Sequence, residues 1–326
     1  MAWRIGGIFK RRGVIIFLLL AIIVSNSYVF TSIGDNFFKT DKFSQANTFY
    51  FLSKILFPLR PDLDKRFLAL NIEQTERQIH SEETGGDEGT VNYQKNVLGI
   101  AVTVPILMYH YIRINPNSGD QVGFNLSVTP SNFSAQMDYL AAHGYHTISP
   151  DDLGVALLTY SGLPLKPVII TFDDGYADSY YNAFPVLRSH GFKAVNFIIT
   201  GLVGAPNYLS WGLIDEMRGS GLFTFGSHTI HHNALTSLNN NVVKKELSES
   251  KAVLGAHLGY QINWFAYPYG SVDQRVASLV RESGYIGSFG TNSGTFQSTD
   301  YMFTLPRIRI GGSDSLASFA GKLPWK

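Results

Sequence analysis

The sequence predicts an α/β protein whose parallel sheet closes into a distorted (β/α)7–8 barrel, preceded by an N-terminal transmembrane helix. Three observations predict this. A glycine-then-strand unit recurs along the chain, β and α segments alternate seven or eight times over about 225 residues, and an apolar run follows a basic N-terminus.

The recurring unit appears in "HGYHTIS" (143–149), "HGFKAVNFII" (190–199), "SGLFTFGSH" (220–228), "LGYQINWFAYP" (258–268) and "SGYIGSFG" (283–290). Each has a glycine (Gly144, Gly191, Gly221, Gly259, Gly284), a large apolar residue and a short β-rich run. A glycine just past a helix takes the left-handed conformation that ends it, and a strand follows. Helix-like stretches precede these units, as in "TPSNFSAQMDYLAAH", where Thr129 is placed to cap and Pro130 fits the first turn. "VPILMYH", "KPVIITF" and "TLPRIRI" supply further strands. Such alternation means a parallel sheet, and the number of units suits closure better than an open sheet. No GxGxxG follows the first strand, so a dinucleotide fold has no support.

At the N-terminus, Arg4, Lys10, Arg11 and Arg12 precede an uncharged run from Val14 to Val24, which continues more weakly to Ile33. Basic residues before an apolar run orient the N-terminus into the cytoplasm. The 11-residue core resembles a signal-peptide apolar region, while the stretch to Ile33 approaches the ~20 residues that span a bilayer. No small-x-small cleavage site follows, which favours an uncleaved anchor. The expected organisation is a cytoplasmic basic segment (1–12), a signal anchor (13–33), an extracytoplasmic helical segment (34–80), a linker (81–100) and the main domain (101–326). The protein is therefore expected in the cell membrane, single-pass, with its main domain outside the cytoplasm.

Composition narrows the function. Hydrophobic content of 45% marks a globular chain, and a net charge of +1 without a basic, aromatic-lined stripe gives no reason to expect nucleic acid. The absence of cysteine excludes disulfides, thiolate metal sites and cysteine nucleophiles.

Barrels of this kind keep their chemistry at the C-terminal ends of the strands. There the sequence places Tyr109 and His110, Asp173 and Asp174, His228 with His231 and His232, and Tyr267 to Gly270. Adjacent carboxylates repel unless a cation or a shared proton intervenes. In "HTIHH", helical or turn-like backbone would let either His228/His231 or His228/His232 chelate, and spacing alone does not choose. Two histidines and a carboxylate leave positions open for water and substrate, the pattern of a catalytic metal site. His143, His190 and His257 fall near helix C-termini, where a cation complements the dipole, and His80 and His146 are assigned no role.

In these stretches the chain resembles the polysaccharide deacetylases (NodB-like, carbohydrate esterase family four): "TFDDGY" (171–176) and "HTIHH" (228–232) match their first two motifs, and "FAYPYG" (265–270) resembles the third. "VPILMYHYI" (104–112) resembles the subgroup acting on exported poly-N-acetylglucosamine, in which the histidine acid lies at the start of the domain. The resemblance implies a metal held by Asp174, His228 and His232, most simply Zn²⁺ and otherwise Co²⁺ or Ni²⁺. It implies Asp173 as general base, His110 as general acid and the Tyr269 N–H as oxyanion donor. His231 is left as a bystander, and Tyr176, Trp211 and Arg307 are candidates for substrate contact, with Trp264 expected in the core. Two departures stand out: Ala266 occupies the third motif's usual arginine position, and no histidine follows His257. Arg307 or Arg309 is then the candidate to replace that arginine. The implied reaction is hydrolysis of N-acetyl groups on an extracellular polysaccharide. An inactive carbohydrate-binding relative and an O-acetyl esterase are the alternatives.

Overall fold

The computed structural model describes residues 94–96, 99–159 and 162–325. The expected basic segment, membrane anchor and helical segment, and most of the linker, lie outside the described residues. Among the described residues no helix is long and apolar enough to cross a membrane.

In chain order the strands are β1 (Gln94–Asn96), β2 (Gly99–Thr103), β3 (Ile106–Tyr109), β4 (Tyr111–Ile112), β5 (Ser127–Val128), β6 (His146–Thr147), β7 (Pro167–Phe172), β8 (Ala194–Ile198), β9 (Phe223–Ser227), β10 (Trp264–Ala266), β11 (Gly287–Ser293), β12 (Phe296–Ser298) and β13 (Leu305–Arg309). The helices are α1 (Gln121–Leu126), α2 (Pro130–Ala142), α3 (Pro150–Thr159), α4 (Phe184–His190), α5 (Trp211–Gly219), α6 (Asn240–Leu258), α7 (Gln274–Glu282) and α8 (Leu316–Gly321). All five glycines of the recurring unit adopt the left-handed conformation, with φ between +65° and +78°. At the start of α2 the Thr129 hydroxyl accepts the Asn132 N–H, as a capping threonine should.

Seven strands close a parallel barrel in the order β3-β7-β8-β9-β10-β11-β13, with β13 returning to β3. The eighth segment read from the sequence, β6, is only two residues long and pairs with the start of β7, so seven strands form the wall. A small antiparallel sheet, β1-β2-β12, stands beside the barrel, and its first strands overlap the end of the stretch read as linker.

Strand alternation divides the core in two. Ile106, Ile169, Val195, Phe197, Trp264 and Phe289 fill the barrel, while Leu107, Ile170, Phe172, Phe225, Phe265 and Ile308 face the helices. Helix α3 seals the N-terminal mouth, its Leu153 and Leu157 joining the inner cluster and its Asp151 accepting the Trp264 Nε1–H at 2.7 Å. Trp264 is therefore core, as expected. The interior is tight enough that a Cβ at position 226 would stand 2.4 Å from Phe197 Cε1, so β9 needs glycine there. The same period of two carries past the strand ends. Counting on by twos from inward Ile106, Ile169, Gly226 and Leu305 reaches His110, Asp173, His228 and Arg307.

Candidate active site

Among the described residues, the C-terminal rim holds four of the six non-glycine residues with positive φ: Asp174 (+74°), Thr229 (+69°), His232 (+59°) and Tyr269 (+58°). Such conformations cost about 1–3 kcal/mol each and persist where surrounding structure imposes them, which singles out this rim. After β7 the chain turns sharply through Asp174 and Gly175, and both carboxylates of the pair are buried. After β9 the loop carrying the histidines is pinned by Glu246 of α6. Glu246 Oε2 accepts the N–H groups of Ile230 (2.9 Å) and His231 (3.0 Å), and its Oε1 accepts the His231 Nδ1–H at 2.6 Å. Thr229 Oγ1 accepts the His232 N–H at 2.9 Å, closing the turn that brings His232 back beside His228.

Three ligand atoms converge there. Asp174 Oδ1 lies 3.3 Å from His228 Nε2 and 3.1 Å from His232 Nε2, and the two nitrogens are 3.2 Å apart. His228 Nδ1 is 2.7 Å from the Ala266 carbonyl, which can only accept, so Nδ1 carries the proton and the neutral ring's Nε2 is a lone pair. That lone pair faces a carboxylate oxygen that is buried without a hydrogen-bond partner of good geometry. Such an arrangement is repulsive unless positive charge sits between the atoms. A tetrahedral ion with bonds of about 2.0–2.1 Å separates its ligand atoms by about 3.3–3.4 Å, close to this triangle. The residues thus fit a divalent metal, with Asp174, His228 and His232 as its ligands. The electrostatics agree. Burial opposes charge on both groups, but the histidines outweigh it and hold Asp174 well below the usual carboxylate range. Asp174, Asp173 and the Ala266 carbonyl likewise outweigh burial at His228 and raise it.

Asp173 stands beside the triad in a bidentate pair with Arg307, Nη1–Oδ1 2.8 Å and Nη2–Oδ2 2.7 Å. Arg307 is completely buried, and it also donates to the Gly290 carbonyl (2.9 Å) and the Thr171 hydroxyl (3.1 Å). Burial pushes Asp173 up, but Arg307, with His228 and His110, more than offsets this and keeps it ionised. Arg307, a candidate for substrate contact, is enclosed and holds the Asp173 carboxylate in one orientation. Of the two arginines considered, Arg307 is the buried one, whereas Arg309 is exposed.

His110 follows β3 within electrostatic reach of both carboxylates, and its Nδ1 is buried without a partner. Burial lowers its pKa, Asp173 and Asp174 oppose that shift, and Arg309 and Arg307 add to it, leaving it below the ordinary value. Tyr269 places its ring 4.5 Å from that of His232 and is largely exposed. Its left-handed turn depends on the next residue, since a Cβ at Gly270 would meet Thr291 Oγ1 at 2.0 Å.

Tyr176 stacks between Tyr111 (3.7 Å) and Tyr208 (5.1 Å) at the same rim. Trp211 starts α5 and stacks on His257 at 4.2 Å, partly buried against the helix-facing core. Its indole therefore serves packing in the helical layer. His231 turns outward onto Glu246 and takes no part in the triangle. His231→Ala should bind zinc within a few-fold of the unaltered protein, while His232→Ala should lose it, as read by titration with a zinc-sensitive dye. The reverse outcome would shift the metal site by one residue. Glu246 escaped the sequence reading. Its only trace there is a carboxylate set among Val243, Leu247 and Leu254, on the buried face of α6.

Fold and site together define a (β/α)7 barrel whose C-terminal rim carries a metal-competent centre of two histidines and one aspartate. A family model described as polysaccharide deacetylase matches residues 161–287, which include both aspartates and all three rim histidines of "HTIHH". YxkH of Bacillus subtilis (strain 168), which carries a provisional polysaccharide-deacetylase name, is 32% identical over 216 residues, 66% of this chain and 74% of YxkH. The poly-β-1,6-N-acetyl-D-glucosamine N-deacetylase of Staphylococcus epidermidis is 27% identical over 241 residues, 68% of this chain and 81% of that protein. The Streptococcus pyogenes deacetylase PplD, solved in complex with acetate, superposes with a TM-score of 0.64 at 31% identity, covering 68% of this chain and 98% of PplD. The chain belongs to the polysaccharide deacetylase family. His110 and Arg307 lie outside the span of the family model, one on each side.

Proposed function

We propose that the protein is a metal-dependent N-deacetylase of an extracytoplasmic N-acetylglucosamine polysaccharide. The observation that carries this reading is the ligand triangle of Asp174, His228 and His232, with the Asp173–Arg307 pair beside it. A polymer of β-1,6-linked N-acetylglucosamine is the favoured substrate, supported by the name of the staphylococcal relative and by "VPILMYHYI" at 104–112. Zinc is the favoured ion, since two imidazoles and one carboxylate suit it, with cobalt or nickel as substitutes.

When bound at the triad, such an ion polarises the acetyl carbonyl and acidifies the attacking water. Asp173 accepts the proton of that water, its carboxylate held in one orientation by the Arg307 fork. The Tyr269 N–H donates to the carbonyl oxygen as negative charge develops on it. His110 hands a proton to the leaving amine nitrogen. Burial disfavours the charged form of His110 and Arg309 and Arg307 add to that, while the two aspartates oppose it, so its pKa stays below the ordinary histidine value. Anchoring in the membrane, with the barrel outside, is proposed on the basic segment and apolar run of residues 1–33 alone.

The test is acetate release from poly-β-1,6-N-acetylglucosamine, peptidoglycan and a chitin-like polymer, with and without chelator, in membrane and soluble fractions. We expect preference for the first polymer, loss of activity with chelator, recovery with zinc, and activity in the membrane fraction. Faster release from an acetate ester than from the amide would select the esterase. Binding without acetate release at saturating zinc would select an inactive carbohydrate-binding relative.

A further inference from the structure

His110 is held differently from the other groups of the site. Asp173 is gripped by the Arg307 fork, and His228 is oriented by the Ala266 carbonyl. The buried Nδ1 of His110 has no such partner among the described residues. A catalytic imidazole is ordinarily aimed by the hydrogen bond that its second nitrogen makes. Here the direction of the ring rests instead on the backbone that carries it.

That backbone has little support of its own. His110 separates β3 from β4, and β4 pairs with β5 over two residues only. The connection from β7 to α4 supplies the remainder. Its first residue, Asp173, donates its N–H to the Tyr109 carbonyl at 2.9 Å. Further on, Tyr176 stacks on the Tyr111 ring at 3.7 Å. Asn182 Nδ2 then donates to the Ile112 carbonyl at 2.7 Å, and the Asp178 carboxylate takes the Ile112 N–H. Ile112 is fully buried, so both of its backbone polar groups need partners. The chain is thus held on either side of His110 by one connection, which also carries the proposed base and Asp174.

Asn182 is delivered by a π-helical turn, Ser179–Ala183, with Asp178 at its start. Single turns of this kind recur at functional sites. The turn is itself tied down. Ser179 Oγ donates to the Tyr176 carbonyl at 2.7 Å and accepts Nδ2–H of Asn196, on β8, at 2.9 Å. Asn182 makes no hydrogen bond to either aspartate or to the rim histidines, so its one strong contact near the site is the Ile112 carbonyl.

We propose that Asn182 is a positioning residue for the general acid: by holding Ile112, together with Asp178, it fixes the direction of the His110 ring. The proposal rests on the functional reading above, in which His110 protonates the leaving amine.

The test uses the full chain loaded with zinc and two substrates, an N-acetylglucosamine oligomer and nitrophenyl acetate. An amine leaves only with a proton, whereas nitrophenolate leaves without one, so only the oligomer needs the acid. Each rate is read relative to the unaltered protein on the same substrate. Asn182→Ala should lose about tenfold in kcat on the oligomer, with KM changed by less than about twofold, and less than about twofold on the ester. Asn182→Gln, which keeps an amide donor, should recover part of the loss. In a His110→Ala background, Asn182→Ala should cost nothing further, because the acid it aims is gone. Equal losses on both substrates mark Asn182 as a general support of the site and overturn the proposal. So does an unchanged oligomer rate, or a full additional loss in the double variant. Should the alanine variant fail to fold, Asn182→Leu, close in shape to asparagine, takes its place.

A crystal structure of the variant decides the geometry without any assay. The His110 ring should turn from its present direction while Asp174, His228 and His232 keep their triangle, and an unmoved ring overturns the proposal. If the unaltered protein releases no acetate from the oligomer, the functional reading fails, and the crystal structure alone decides whether Asn182 aims His110.

Discussion

Asp174→Ala is expected to reduce acetate release by about 10³-fold or more, and His228→Ala to do the same. Losing one oxyanion donor costs about 10²–10³-fold in other hydrolases, and losing a ligand of the proposed metal would remove the positive charge that would serve both carbonyl and water. The structure makes the two variants equivalent, because each deletes one corner of a triangle whose edges are 3.1–3.3 Å. Zinc titration should show the same loss, and chelator should lower the melting temperature of the unaltered protein while leaving either variant unmoved. Binding to the native state alone stabilises it by about 2.7 kcal/mol at a hundredfold excess over Kd, so the shift is measurable. Zinc-independent acetate release by both variants would sink the metal assignment.

The second large effect is expected at Arg307. Arg307→Met leaves Asp173 as an unpaired charge in a site where both partners are buried. Breaking a buried pair from one side typically costs about 3–5 kcal/mol, whereas replacing both partners with apolar groups is often nearly neutral. Denaturant unfolding should therefore show a large loss for Arg307→Met and recovery in the double variant Arg307→Met/Asp173→Leu, which remains inactive. Arg307→Lys keeps the charge but loses the two-pronged fork, so it should retain more stability than activity. Equal stability of Arg307→Met and the unaltered protein would show that Arg307 does not offset a buried charge on Asp173.

These two predictions differ in how far the sequence alone leads to them. The ligands sit in two short stretches, "TFDDGY" and "HTIHH", where residue type and local spacing suffice to propose them. The choice between His231 and His232 did not follow from spacing, since a turn brings either within reach of His228. It is decided by Glu246, which lies 15 residues away on α6 and draws His231 outward while the Thr229 hydroxyl turns His232 inward. Arg307 is farther still, 134 residues from the aspartate it holds. The sequence offered Arg307 and Arg309 equally, because both follow the same strand alternation. Only burial in the barrel separates them, Arg307 being enclosed near Phe197 and Phe289, with ring centroids 6.0 Å away.

The strand ends explain why the barrel was readable. Glycines that end helices and short β-branched runs are local signals, and all five glycines adopt the left-handed conformation that ends a helix. Local signals do not count the strands that close. β6 has the glycine and the apolar residue of its siblings but pairs over only two residues, so it stays beside the wall. The antiparallel β1-β2-β12 sheet went unread because its β2–β12 pairing joins segments far apart in the chain, with no shared turn to announce it.

The sequence by itself determined the alternation of elements, the rim on which chemistry gathers and the residue types that gather there, because backbone preference and side-chain chemistry are local properties. The tertiary structure alone decided which histidine turns inward and which arginine pairs with Asp173. Those outcomes depend on desolvation and on donors supplied from distant strands and helices, and neither is defined until the barrel has closed.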